Sequence, residues 1–363
     1  MPLSTTDQPA GVIFAALAAR SDLIVRGQVS RVHSFWTDNH TMIASDVTIA
    51  VRNSLLGAAQ NGAAQNHVVV RTAGGYLPAE GLGMLSPHAA NFTPGEEVLV
   101  VLQKQGGIWE MVDGAAGKFL LQDGVAVNYD LALAQPVDRV LSAMAAAQRL
   151  PVLQSQLPRH DHPFGATAVA PATETTPAFA GSLYIKASAE SRKWPTPHAG
   201  APYYLNLNTV QVDQANGSSA DFRNAVMAAA ASWGAVAGVD FKLNYAGTTA
   251  ATQTGYDGVN EILFMHKGNE ERAAAAQVWY TSDATIVEAD IWINDDYTWD
   301  ATGAPAADEV DLQSALLHEF GHWLILGHFT DAKTVMYPRL TTGTLKRELQ
   351  KQDQIGIRTI YPQ

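Results

Sequence analysis

The chain has 363 residues and no cysteine, which removes disulfides, thiolate metal sites and thiol catalysis and leaves room for two domains. Hydrophobic residues make up 47% and charged residues 16%, a globular balance, and the formal net charge of -12 gives no electrostatic ground for binding nucleic acid or an anionic membrane. No apolar run approaches the roughly 20 residues that span a bilayer. The opening stretch MPLSTTDQPAGVIFAALAARSDLIV makes a poor signal peptide, since it lacks a basic start and its apolar part runs straight into a strand-like segment.

Residues 22–130 read as β-rich. SDLIVRGQVSRV, SDVTIAVRNSLL, NHVVVRTAGG, EEVLVVLQ, IWEMVDG and KFLLQDGVAVNY are short β-branched runs punctuated by Gly, Asn, Asp and Pro. They predict an all-β barrel or sandwich within an N-terminal domain of residues 1–150, closed by a helix over PVDRVLSAMAAAQRL. This half carries no catalytic signature and is expected to be regulatory or accessory. Residues 151–182 are rich in Pro, Thr and Ala, the chemistry of a linker. Within LPRHDHPFG, His160, Asp161 or His162 could reach a metal as an extra ligand; a polar linker is the plainer reading.

A second domain is expected over residues 183–363. APYYLNLNTV reads as a strand, and SADFRNAVMAAAASWGAV as a helix with Phe222, Val226, Ala229 and Trp233 on one face and Ser219 as cap. VDFKLNYAG, NEILFMHKG, AQVWYTS and EADIWIND follow as strands, then a helix over DLQSALLHEFGHWL and a last one around RELQKQDQIGIRTIY.

The chemistry concentrates in HEFGHWLILGH, residues 318–328. On a helix, His318 and His322 are neighbours one turn apart, and two imidazoles so placed can share a metal ion. His328 comes six residues later, which on a continued helix would put it about 9 Å along the axis. Zinc–nitrogen bonds are only about 2.0–2.1 Å, so three shared ligands require the chain to stop and turn back. Gly327 is the residue that most readily permits that turn. A lone HExxH also arises by accident on amphipathic helices; the third histidine beyond a glycine favours the metal.

This stretch resembles the metzincin signature HExxHxxGxxH, most closely that of the matrixins, which often read HEFGH followed by LGH. TVMYPRL resembles the Met-turn of that family, EADIWIN its cleft-lining strand, and KWPTPHAGAPYYLN the start of bacterial matrixin-like domains. DGVNEILF and LQKQDQIGIRTIYP are similar to its interior strand and C-terminal helix. The resemblance covers residues 183–363 and implies an α+β domain, a mixed sheet with an active-site helix and a C-terminal helix. It implies a secreted, zinc-dependent endopeptidase acting on protein or peptide. His318, His322 and His328 would hold Zn2+, a water would take the open position, and Glu319 would be the general base. Met336 would support the site from below, where an ordinary core methionine is the alternative. Tyr337 would pack or assist at the oxyanion.

The sequence departs from the pattern at Ile325, which stands where the signature has glycine. A β-branched residue is costly at positive φ, so either this position is not left-handed or Gly327 takes over the turn. That departure is the one feature favouring the alternative, a surface-binding or adhesion protein with a silent metzincin domain. EADIWIN could be an edge that pairs with an extended peptide or a buried strand. Asp283, Asp290, Asp295, Asp296, Asp300 and Asp308 could bind structural Ca2+, as matrixin-like domains often do, or form a solvated acidic face. His266 with scattered aspartates predicts no second zinc.

Overall fold

A computed structural model describes residues 10–37, 40–56, 66–128, 130–131, 133–148, 192–195, 199–207, 215–267, 272–329 and 331–363. The expected linker 151–182, with His160, Asp161 and His162, lies outside the described residues.

The N-terminal half contains α1 (Ala10–Ala19), β1 (Leu23–Trp36), β2 (Ile43–Leu56), β3 (His67–Ala73), β4 (Gly75–Leu77) and β5 (Leu82–Leu85). β6 (Glu97–Gln105), β7 (Ile108–Met111), β8 (Lys118–Gln122), β9 (Val125–Asn128), β10 (Leu133–Pro136) and α2 (Val137–Gln148) follow. Strands hydrogen-bond in the order β1-β2-β3-β7-β6-β8-β9-β10, and β1 also pairs with β6, so five of them close a ring of pairings. β6 shows what its sequence does. Val98, Val100 and Leu102 point into a core with Val25, Val47, Ile49 and Val70. Leu99 and Val101 point the other way, onto Phe14 and Leu17 of α1 and Val140 and Met144 of α2. A strand buried on both faces reads as an unbroken apolar run, as VLVVL does.

This half is therefore not all-β. α1 reads AGVIFAALAA, apolar on every side with no stripe; it buries Phe14, Leu17 and Ala18 and leaves Val12 exposed. The half is also not self-contained, because β4 and β5 leave the ring and join a second sheet.

That sheet has the order β13-β11-β14-β16-β15-β5-β4. Its further strands are β11 (Ala201–Asn206), β13 (Leu243–Thr248), β14 (Glu261–Met265), β15 (Ala274–Thr281) and β16 (Ile286–Asn294). β11, β13, β14 and β16 pair in parallel, while β15 runs antiparallel to β16 and β5 antiparallel to β15. Three two-residue strands, β12 (Ala215–Asn216), β17 (Trp299–Asp300) and β18 (Val310–Asp311), form a separate small sheet. α3 (Ser219–Gly234), α4 (Leu312–Trp323) and α5 (Lys351–Ile360) complete the half.

α3 buries Phe222, Val226, Ala229 and Trp233 as its periodicity predicts, but its cap is Ser218, which forms a capping box with Asp221. One core joins this helix, α4 and the sheet through Trp233, Phe320, Trp323, Phe264 and Ile291. EADIWIN, within β16, is an interior strand between β14 and β15 and almost wholly buried. The strand beside it, β15, is paired on its far side by β5, Leu82 opposite Thr281 and Leu85 opposite Val278. Among the described residues no helix is long and apolar enough to cross a membrane.

Candidate active site and metal centre

α4 is fixed at both ends. Asp311 caps it, accepting from the Ser314 amide at 2.8 Å, and the Arg347 guanidinium grips the same carboxylate. At the far end Trp194 donates its indole N–H to the Trp323 carbonyl at 3.0 Å, and mid-helix Trp233 donates to the Leu317 carbonyl at 2.9 Å. The helix that carries HEFGH is thus held in rotation as well as position.

His318 Nδ1 lies 2.8 Å from the Val335 carbonyl and His322 Nδ1 2.8 Å from the Leu326 carbonyl. A carbonyl can only accept, so each Nδ1 is the donor and each neutral ring turns the lone pair of its Nε2 inward. Burial, reinforced by the neighbouring imidazoles, holds both rings well below the ordinary histidine range, so they are neutral. Their Nε2 atoms then face each other 3.0 Å apart, lone pair to lone pair. That contact is repulsive in a protein alone and becomes attractive with a cation bound to both.

The chain turns back as the metal argument requires, but at a different residue. Ile325 has φ +65, the left-handed conformation, and Gly327 does not take over the turn. The Leu326 amide donates to the Gly321 carbonyl and the Ile325 amide to the His322 carbonyl, both at 2.9 Å. These two bonds make a Schellman closure with Ile325 where glycine is usual. Left-handed backbone costs a non-glycine residue about 1–2 kcal/mol. The side chain offsets this by its burial, being only 8% exposed.

The turn delivers His328, whose Nδ1 is 3.1 Å from the Asp130 carboxylate. The cluster then gains a member that the sequence does not announce. His88, between β5 and β6, brings a ring nitrogen into the same group, and the ligand atoms of His88, His318, His322 and His328 all lie within 4.8 Å of one another. A tetrahedral zinc with nitrogens at about 2.0–2.1 Å sets them roughly 3.4 Å apart. Nε2 of His88 and Nε2 of His328 are buried without a hydrogen-bond partner, as is Oε1 of Glu319. Orphaned buried polar atoms are rare, and three of them converging on imidazole lone pairs are suited to hold a cation. The donor set, all imidazole nitrogen, suits zinc.

Glu319 is fully buried, with Oε2 accepting from the Ala276 amide of β15 at 2.8 Å and Oε1 3.4 Å from His88 Nε2. Its carboxylate therefore borders both the cluster and β15. Met336 lies beneath the helix. A Cβ added at Gly321 would come within 2.2 Å of its Sδ and 2.9 Å of the Trp233 ring, so the glycine of HEFGH is what lets the turn approach. Asp353 of α5 accepts from the Val335 amide at 2.9 Å and the Met336 amide at 3.1 Å. The C-terminal helix thus positions Val335, and Val335 in turn positions His318. Tyr337 packs under the Lys346 ammonium, 5.1 Å from its ring.

The six aspartates do not converge. Asp290 accepts from the Gly255 and Glu261 amides, Asp300 from the Gly303 and Ala304 amides, and Asp283 from Thr281 and Thr285. Asp295 and Asp296 instead meet His266, with ligand atoms within 4.8 Å of one another, a grouping the spacing of these residues does not suggest. His88, Asp130 and Asp353 are the residues around the centre that sequence reasoning misses. Only Asp353 carries a local signal, as the third residue of a capping box opened by Gln350.

A mixed sheet with β15 antiparallel beside parallel strands, an HExxH helix, a backward turn to a third histidine and a methionine turn beneath define a metzincin-type domain. The matrixin family model matches residues 203–362, and the C-terminal half of this chain is a matrixin-like metzincin catalytic domain. The chain is 42% identical over 62 residues to "Metalloendoproteinase 1" of Glycine max, 17% of this chain and 20% of that one. It is 46% identical over 52 residues to "Metalloendoproteinase 2-MMP" of Arabidopsis thaliana, 14% of each chain. The chain thus spans about a fifth or less of the length of these curated relatives. A metalloproteinase-II from Bacteroides fragilis aligns over 92% of this chain and 93% of its own, at 10% identity and a TM-score of 0.28, too low to carry its architecture over.

Proposed function

We propose that this protein is a zinc-dependent endopeptidase acting on proteins or peptides, with His318, His322 and His328 as the zinc ligands of the working enzyme. The observation that carries this reading is the inward convergence of imidazole lone pairs beside the unpartnered Oε1 of Glu319. Bound zinc would supply a Lewis acid and an acidified water. Glu319, held by the Ala276 amide, takes a proton at Oε1 from the attacking water and returns it to the leaving amine. The edge of β15 pairs with the extended peptide through main-chain hydrogen bonds. Met336 and Asp353 hold the floor on which His318 rests. Residues 1–150 act as a covering module and 183–363 as the peptidase unit. Action outside the cytosol and structural calcium remain expectations of the resemblance. The silent-domain alternative leaned on Ile325, and the intact backward turn at Ile325 gives it no support.

The test is metal content by mass spectrometry together with peptide-library cleavage. One zinc per chain, lost in His322→Ala, and cleavage that falls about a thousandfold or more in Glu319→Gln are expected. A chain that binds no zinc, or cleavage indifferent to Glu319, would discard the reading.

A further inference from the structure

His88 has no place in a three-histidine peptidase site, yet it is built into one. Its residue is buried, its Nε2 has no hydrogen-bond partner, and its ring centroid lies 5.1 Å from that of His322 and 5.1 Å from that of His328. The segment leading to it is β5, which pairs along β15 as the sixth strand of the seven-stranded sheet. Leu82 to Leu85 pair antiparallel with Val278 to Thr281, and three residues later the chain reaches the cluster. The fit along that edge is close. A Cβ at Gly83 would come within 2.3 Å of the Tyr280 ring.

The loop that presents His88 is fastened to the N-terminal ring of strands. The Ala115 amide donates to the His88 carbonyl at 3.0 Å, and the Thr72 hydroxyl donates to the Ala90 carbonyl at 2.9 Å. Gly114, at φ +56, leaves room for that carbonyl, which a Cβ there would meet at 2.4 Å. A ring nitrogen delivered by a rigid loop to three others is preorganised for a metal. A strand occupying the peptide-binding edge is an occupant, and Asp130 adds a second grip on the centre from the same half.

We infer that His88 is a fourth zinc ligand, closing the coordination position that hydrolysis needs open, while residues 82–85 fill the place of the substrate. Resting on the zinc-peptidase reading, this makes the full chain a latent form. Four nitrogen ligands define a closed site and three an open one. Cleavage requires withdrawal of the 82–88 segment.

The test uses the full chain loaded with cobalt in place of zinc. Wild type is expected to bind one cobalt with a visible spectrum that does not change between about pH 6 and pH 9, because no metal-bound water is there to ionise near pH 7. His88→Ala is expected to give a pH-dependent spectrum, to release metal to a chelator about ten times faster or more, and to cleave a peptide library that wild type leaves intact. If the closed form holds about 99% of the molecules, opening it raises cleavage about a hundredfold. Gly83→Val, which crowds Tyr280 without touching the cluster, is expected to raise cleavage in the same direction. A wild-type spectrum that titrates near pH 7 overturns the inference whether or not His88→Ala folds. So does a variant identical to wild type in spectrum and metal release; cobalt bound by both chains would then leave the three-histidine reading standing. Failure of wild type to bind cobalt or zinc at all would remove the peptidase reading and the inference together.

Discussion

Asp130 and His328 are linked by a 3.1 Å contact between a carboxylate oxygen and Nδ1, and they come from opposite halves of the chain. The carboxylate fixes the ring so that Nε2 faces His318 and His322, the role that a second layer of groups plays around metal-bound histidines. Asp130→Ala is expected to speed zinc release to a chelator about tenfold, and Asp130→Asn, which keeps an acceptor, by less. Equal release from all three proteins would show that the contact does not orient the ligand.

Gly321 is predicted to be intolerant of a single methyl group. The added Cβ of Gly321→Ala meets the sulfur of Met336 and the Trp233 ring, and neither has room to retreat in a fully buried core. Overpacking of this kind costs about 1–3 kcal/mol. Chemical denaturation should show the loss, and a variant as stable as wild type would mean that the methionine turn is not tightly apposed to the helix.

At Ile325 two effects compete. Truncation loses a buried side chain, about 2–5 kcal/mol for isoleucine to alanine, and alanine keeps the left-handed strain. Glycine loses slightly more surface but relieves the strain. Ile325→Gly is therefore expected to be about 1 kcal/mol less destabilising than Ile325→Ala, the reverse of the order at an ordinary helical position. Denaturation midpoints of the pair decide it.

Glu288, on β16, carries a pH signature. Burial, with added repulsion from Asp257 and Glu261, raises its carboxyl from 4.5 to about 7, against the opposing pull of the Gly258 and Asp257 amides. The raised group favours folding fully below its unfolded value and loses that contribution as pH rises through its folded value. Thermal stability should therefore fall between about pH 4.5 and pH 7 more steeply in wild type than in Glu288→Gln. Parallel profiles would show that the carboxyl is not raised.

Much of the centre is legible from spacing alone. His318 and His322 are four apart on a helix, and His328 is meaningful only if the chain bends. The bend itself misleads, because propensity assigns it to Gly327 while the hydrogen bonds of the closure fall on Ile325. Strand order also escapes the sequence. EADIWIN and AQVWYTS are both apolar and both buried, so only pairing tells the strand between β14 and β15 from the strand between β16 and β5. α1 is missed because a uniformly apolar helix has no stripe. His88 is more than two hundred residues from the signature, in a β-rich half, and nothing around Ser86-Pro87-His88 marks it as a ligand. Its partnership exists only in three dimensions.

Latency and catalysis meet in one comparison, peptide-library cleavage by His88→Ala and by the double variant His88→Ala/Glu319→Gln, each carrying one zinc. Products are expected from the first and none above background from the second, since opening the site and removing its base act on the same reaction. A zinc-loaded His88→Ala that cleaves nothing, or a double variant that cleaves as well as the single one, would contradict the latent-peptidase reading.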